Sequence, residues 1–200
     1  MRVTAIVSAA LLGALLVGCA GQPSEGAGPS SGPSAEPSAS ETAPAVVEDF
    51  GLPAACLDIL PASRLSQFES AGLVLLGGPD GLYGDDYLLD PSPEQRVGGI
   101  TCIWGPPDTE LSTVTISVAP LSASDRPAIV DDLAVSQGLN ESVGEDAAYY
   151  WQLGDSDRQP AILNVLAADS WISVIQTIGG DATYAEAEDL AAEVHDLVYS

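Results

Sequence analysis

Between residues 20 and 45 the chain carries no Val, Ile, Leu, Met or aromatic residue; these 26 positions hold 6 Ser, 6 Ala, 5 Pro and 4 Gly. A segment with nothing large to bury cannot offset the entropy of ordering its backbone, so it is expected to stay a disordered linker. As a flexible chain its root-mean-square reach is about 25–31 Å. The fold must then be built from residues 46–200, a span of 155 residues. That is the length of one domain. With 46% of the whole chain hydrophobic, there is enough apolar surface for a single core.

Charge narrows the partners. The chain has 29 Asp and Glu against 5 basic residues, all arginine, a formal net charge of -24. A nucleic-acid partner is excluded on this ground, because phosphates are neutralised by Lys and Arg. Residues 46–200 alone hold 26 acids against Arg64, Arg96, Arg126 and Arg158, a net -22. Anionic lipid surfaces repel such a domain. Any attachment to a membrane must come from another part of the chain.

The first residues supply one. Residues 3–17 are an apolar stretch of 15 broken only by Thr4, Ser8 and Gly13, with Arg2 before it. This is the order of a secretory leader. As a helix rising about 1.5 Å per residue it reaches about 22 Å, short of a hydrocarbon core of about 30 Å. Leu16, Val17, Gly18 and Cys19 then resemble the bacterial lipobox. The resemblance implies that 1–18 is a lipoprotein signal peptide and that Cys19 becomes the lipidated N-terminus of the linker over 19–45. Two acyl chains, at about 0.8 kcal/mol per buried CH₂, hold a protein where one chain binds only marginally. A discarded leader cysteine and the thiol of a short anchor are the rival readings of Cys19. The expected location is the outer face of the cytoplasmic membrane, extracytoplasmic, with the membrane a partner through the covalent lipid.

Export places the domain in an oxidising compartment, and lipidation uses Cys19, which leaves Cys56 and Cys102. They are expected to form a disulfide. A redox or metal-ligand pair is the alternative, and it lacks a CxxC spacing or a companion histidine.

Periodicity predicts the elements. A short helix is expected over 61–68, where Pro61 suits a first turn, and a brief strand over 73–76. The Gly- and Pro-rich stretch 77–99 reads as a long loop. Strands follow at 99–104 and 112–119; in the second, Val114, Ile116 and Val118 alternate with Thr113, Thr115 and Ser117, giving one buried and one polar face. A helix capped by Ser124 or Asp125 runs to Gly138. Further strands are expected at 147–152, 161–167 and 170–178, the last two forming a hairpin across Asp169. Thr183 and Glu186 make a capping-box pattern for a final helix whose Tyr184, Ala187, Leu190, Ala191, Val194, Leu197 and Val198 share one side. The expected fold class is α+β, a single domain with a mainly antiparallel sheet of about five strands and helices on one face.

Cys56, Leu57, Leu60, Pro61 and Ala62, then Cys102, Ile103 and Trp104, then residues 144–149 and the Ala/Glu-rich last helix, resemble the small two-cysteine lipoproteins of actinobacterial cell envelopes. Such proteins are largely of unknown function. The resemblance implies a location and a disulfide, and it assigns no catalytic residue.

Chemistry is thinly signposted. His195 is the only imidazole, no lysine is present, and no GxSxG, HExxH or GxGxxG occurs. A cryptic hydrolase would have to use His195 with an unrecognised nucleophile. Asp80, Asp85, Asp86 and Asp90 lie in the glycine-containing loop, a pattern that offers oxygens to a divalent cation such as Ca²⁺, although its spacing matches no EF-hand. Solvated surface is the competing reading of these acids. Trp104, Tyr149, Tyr150, Trp151 and Trp171 stand near expected strand ends and form either a contact surface or core. The reading that follows is a non-catalytic, lipid-anchored binding or interaction module without cofactor. Its partner would be an envelope protein or a small ligand, with the aromatic strand ends and the 77–99 loop as contact surface.

Replacing Cys19 with Ser is expected to move the exported protein from the membrane fraction to the soluble fraction. Unchanged partitioning of that variant in detergent would remove the anchor.

Overall fold

Strand pairing between distant segments organises the domain. In the computed structural model, which describes residues 49–109, 112–156 and 158–200, the alternating stretch becomes β3 (Val114–Pro120) and the segment after Asp169 becomes β7 (Ser170–Gln176). They pair antiparallel from Val114↔Gln176 to Pro120↔Ser170. The expected signal peptide, Cys19 and the expected linker lie outside the described residues.

On one side of this central pair stand β2 (Ile100–Gly105) and β1 (Val74–Gly77); on the other stand β6 (Ala161–Leu166), β5 (Ala148–Gln152) and β4 (Asn140–Val143). Among the described residues the sheet therefore has seven strands in the order β1-β2-β3-β7-β6-β5-β4, every neighbouring pair antiparallel. The fold is α+β with an open sheet. About five strands were expected from the sequence, and β4 is absent from that reading altogether. Its four residues are all exposed, so backbone pairing with β5 holds it and no burial pattern marks it. The expected hairpin across Asp169 is present.

Register gives the sheet two faces. The first carries Cys102, Trp104, Val114, Ile116, Val118, Leu163, Ile172 and Val174, and packs against α1 (Ala62–Ser70) and α4 (Asp181–Val198) through Phe68, Leu190 and Val194. The disulfide Cys56–Cys102, with S–S 2.06 Å, ties the 3₁₀ turn Cys56–Asp58 to β2 within this core. Gly78, at φ +95°, leaves room for that bridge: a Cβ there would stand 2.7 Å from Cys56 Sγ and 2.2 Å from the Thr101 carbonyl oxygen. Arg64 of α1 straps the two helices together, its Nε donating to Glu193 Oε2 at 2.9 Å and its Nη2 to Oε1 at 2.6 Å. Tyr199, just past α4, donates to Asp169 and meets Ser170 Oγ at 2.7 Å, and burial pushes its hydroxyl up to about 12.

Helices were expected on one face only, and the structure corrects this. α3 (Arg126–Asp131), the π turn Asp132–Ser136 that continues it, and α2 (Pro93–Arg96) cover the second face, where Ile129, Leu133 and Leu139 pack on Ala119, Tyr150, Leu166 and Trp171. The apolar side of 126–136 was legible, but a helix pattern does not say which side of a sheet it will meet. The 77–99 stretch also holds more order than a loop, with the 3₁₀ turn Gly84–Tyr87 and α2 inside it. The expected caps hold in part. Asp125 stands at the N-cap position of α3 but its side chain makes no cap hydrogen bond, and Ser122 Oγ accepts the Asp125 N–H at 3.1 Å. α4 starts at Asp181 after Gly180, at φ +117°, so Thr183 lies inside the first turn and caps nothing. The Gly180 N–H bonded to the Leu153 carbonyl at 2.7 Å sets that earlier start.

The double substitution Cys56→Ala/Cys102→Ala opens a loop of 46 residues. It is expected to lower the unfolding free energy in urea by about 4 kcal/mol, the loop-closure value for that length. An unchanged urea midpoint would show that the bridge does not constrain the unfolded chain.

Candidate functional site

A buried position on a sheet between packed layers normally takes Val or Ile, because an unpaired polar group there costs free energy. The second face departs from this along one line. Thr101 of β2, Ser117 of β3, Ser173 of β7, Asn164 of β6, Tyr150 of β5 and Glu141 of β4 are successive cross-strand partners, so their side chains share that face in a row across the sheet. Thr101, Ser117 and Asn164 are 2% exposed and Ser173 is 3% exposed.

Hydrogen bonds offset the burial. The hydroxyls of Ser92 and Thr101 are 2.6 Å apart, and those of Thr101 and Ser117 are 3.0 Å apart. Trp171 Nε1 donates to Asn164 Oδ1 at 2.9 Å, and Asn164 Nδ2 donates to the Tyr150 carbonyl at 3.4 Å. The Tyr150 hydroxyl closes the row on Glu141 Oε1 at 3.0 Å.

Above the row lies a cavity of about 380 Å³, in the size range of small-molecule sites. Its floor is Thr101, Ser117, Ser173 and Asn164, and Ile103, Ile175, Leu133 and Trp171 give it apolar walls. The 77–99 stretch supplies Leu88, Ser92 and Glu94 as a further wall. Gln137, exposed at the end of the π turn, also lines the cavity, and its Nε2 donates to Asp132 Oδ2 at 2.8 Å. π turns recur at functional sites because the extra residue re-aims the side chains around it.

Among the described lining residues Glu94 is the one carboxyl, and no Arg, Lys or His stands with it. It is 6% exposed. A reciprocal capping box places it: Ser92 Oγ accepts the Gln95 N–H at 3.2 Å, Gln95 Oε1 accepts the Ser92 N–H at 2.9 Å, and Pro93 opens the turn between them. Burial pushes the Glu94 carboxyl up from its ordinary value, and the charge of Asp132 acts in the same direction. Its own backbone N–H and the hydroxyls of Ser92 and Ser173 favour the anion and oppose the shift.

The residues singled out from sequence fall elsewhere or play other parts. Trp104, Tyr150 and Trp171 are each 2% exposed, so they are core and not outward contact surface; Trp104 packs edge-on against Phe68 with ring centres 5.4 Å apart. A small domain needs its largest side chains inside. Tyr149 and Trp151 are half-buried on the first face, Trp151 with its ring 5.6 Å from that of Tyr184. Tyr149 and His195 share a groove of about 400 Å³ beside α4. That groove contains no Ser, Thr or Cys among its described lining residues, and the hydroxyl-bearing side chain in it is Tyr149. His195 Nδ1 is 3.8 Å from Asp196, and its ring stacks 4.7 Å from Tyr199. Asp80, Asp85, Asp86 and Asp90 are all exposed, and among the described residues no three metal-ligating side chains converge.

Glu94, Ser92, Thr101, Ser173 and Asn164 were not identified from the sequence. The signals were present in two forms: the Ser92-Pro93-Glu94-Gln95 capping pattern within an apparent loop, and single polar residues interrupting apolar strands at Asn164 and Ser173. Comparison of the chain with family models, curated proteins and solved structures returns no match. Among the described residues no helix is long and apolar enough to cross a membrane.

Glu94→Gln tests the electrostatics. As pH rises from the acid range, the unfolded chain ionises at the ordinary carboxyl value while the folded state holds its proton. Wild-type stability is therefore lost as pH rises through the raised folded value. The melting temperature of Glu94→Gln is expected to gain on the wild type from acid to neutral pH, by about 2–4 °C for each kcal/mol of ionisation cost relieved. A difference independent of pH would show that Glu94 carries no such cost.

Proposed function

We propose that this chain is a lipid-anchored, extracytoplasmic binding module that holds a small ligand in the cavity over the polar row, without chemical turnover. The observation that carries the reading is Glu94, a buried carboxyl lining an open space with no cation beside it. A side chain that costs stability is poorly explained by packing alone, since an apolar residue of similar volume would serve the core better. Sites that bind ligands accept such costs.

The location rests on other residues. The lipobox-like Leu16 to Cys19 provides the anchor, and the Cys56–Cys102 bridge suits an oxidising compartment. The domain's net charge of -22 keeps it off an anionic lipid surface, which leaves the cavity open to solutes of the envelope. The 77–99 stretch, expected from sequence as contact surface, takes part as a wall of the cavity.

The test uses thermal melting of the full chain against a library of small polar metabolites. Ligands are expected that raise the melting temperature, because binding only the folded state stabilises it. Gln137→Trp, which fills the cavity beside an exposed position, is expected to abolish those shifts. Shifts that persist in Gln137→Trp would place binding outside the cavity and sink the reading.

A further inference from the structure

The proposed cavity is chemically lopsided, and this restricts its occupant. Among the described lining residues Glu94 is the one carboxyl and none is Arg, Lys or His, and Asp132 lies close enough to act on it. The nearest arginines do not line it: Arg64 is committed to Glu193 on the opposite face, Arg126 donates to the Ala167 carbonyl, and Arg96, two positions after Glu94 on α2, is exposed and outside the lining. Among the described residues, no ion pair involves Glu94.

We infer that the ligand is a small organic ammonium ion, its N–H groups bonded to the Glu94 carboxylate and its apolar remainder lying against Trp171, Ile103 and Ile175. This deepens the binding reading above and rests on it.

Four chemical alternatives compare poorly. An anion would meet a buried carboxylate with nothing positive to hold it, inside a chain of net charge -24. A divalent metal ion takes several hard oxygens, and among the described lining residues Glu94 is the single carboxylate; Asp132 lies outside the lining with Oδ2 accepting from Gln137, and the hydroxyls of Ser92, Thr101 and Ser117 are engaged with one another. A neutral polyol would bring no charge to balance the Glu94 carboxylate, the form that burial disfavours. A purely apolar molecule would do the same and would also desolvate the hydroxyl row. An ammonium group supplies both the charge and up to three donors. The indole of Trp171, with its N–H committed to Asn164, is left as an apolar wall suited to the carbon skeleton of an amine and to cation–π attraction.

Isothermal titration calorimetry at physiological ionic strength, which screens the general negative field, separates the classes with three probes of one shape. These are phenethylammonium, 2-phenylethanol and 3-phenylpropionate. Phenethylammonium is expected to bind one-to-one and saturably, the alcohol more weakly and the carboxylate not at all. Glu94→Gln, checked for folding by circular dichroism, is expected to weaken the ammonium at least about tenfold, the value of one charged hydrogen bond of about 1.5 kcal/mol, and to leave the alcohol unchanged. Gln137→Trp is expected to abolish both.

Equal affinities for ammonium and alcohol, both indifferent to Glu94→Gln but lost in Gln137→Trp, would overturn the ammonium class and leave the cavity as the ligand site. Ammonium binding that survives Gln137→Trp would be adsorption to the acidic surface, and both readings would fall. Absence of ammonium binding to the wild type would overturn the inference, while metabolite shifts abolished by Gln137→Trp would still uphold the cavity.

Discussion

The antiparallel pairing of β3 with β7 is the constraint on which the rest of the molecule depends. It joins segments fifty or more positions apart in register from Val114↔Gln176 to Pro120↔Ser170. A slip of one residue would turn every side chain of a strand to the opposite face. In the observed register, Val114, Ile116, Val118, Ile172 and Val174 belong to the core shared with α1 and α4, and the positions between them, Thr115, Ser117 and Ser173, line the cavity on the opposite face. One pairing thus creates an apolar face and a polar face together. The disulfide and the Arg64 strap reinforce the first of these.

What makes the second face unusual is its cover. A polar sheet face is inexpensive when it points to water, and period-two alternation is the common mark of such strands. Here the polar row is roofed by the 77–99 stretch and by the α3–π segment, so every hydroxyl and amide in it needs a partner. The row meets that need by bonding along its own length, from Ser92 through Thr101 and Ser117 at one end and from Trp171 through Asn164 to Tyr150 at the other. Glu94 sits over the middle of this arrangement, held by the hydroxyls of Ser92 and Ser173 but lacking any cation among the described residues. The self-satisfied row and the unbalanced charge together turn a packing layer into a candidate binding site.

Much of the fold was legible because the relevant forces are local. The helix over 62–70, six of the seven strands and the amphipathic last helix all follow from spacing of apolar residues. β4 escaped because Asn140–Val143 buries nothing, and α2 escaped because one turn of helix carries too little periodicity to read. The start of α4 moved because a tertiary hydrogen bond from Gly180 to Leu153 outranked the Thr183 pattern. The aromatics show the same limit from the other side: Trp171 looks identical in sequence whether it faces solvent or Asn164.

By itself the sequence determined which segments could pair and pack, that Cys56 and Cys102 both lie in the segment able to fold, and where a stretch without large side chains ends. The proposed anchor at Cys19 rests on the lipobox-like residues alone. Only the tertiary structure decided that Thr101, Ser117, Ser173, Asn164 and Tyr150 stand in one line and that this line is covered. The physical reason is that alternation records which residues share a face of one strand, whereas alignment between strands, and the choice between water and protein above them, depends on contacts made across the whole chain.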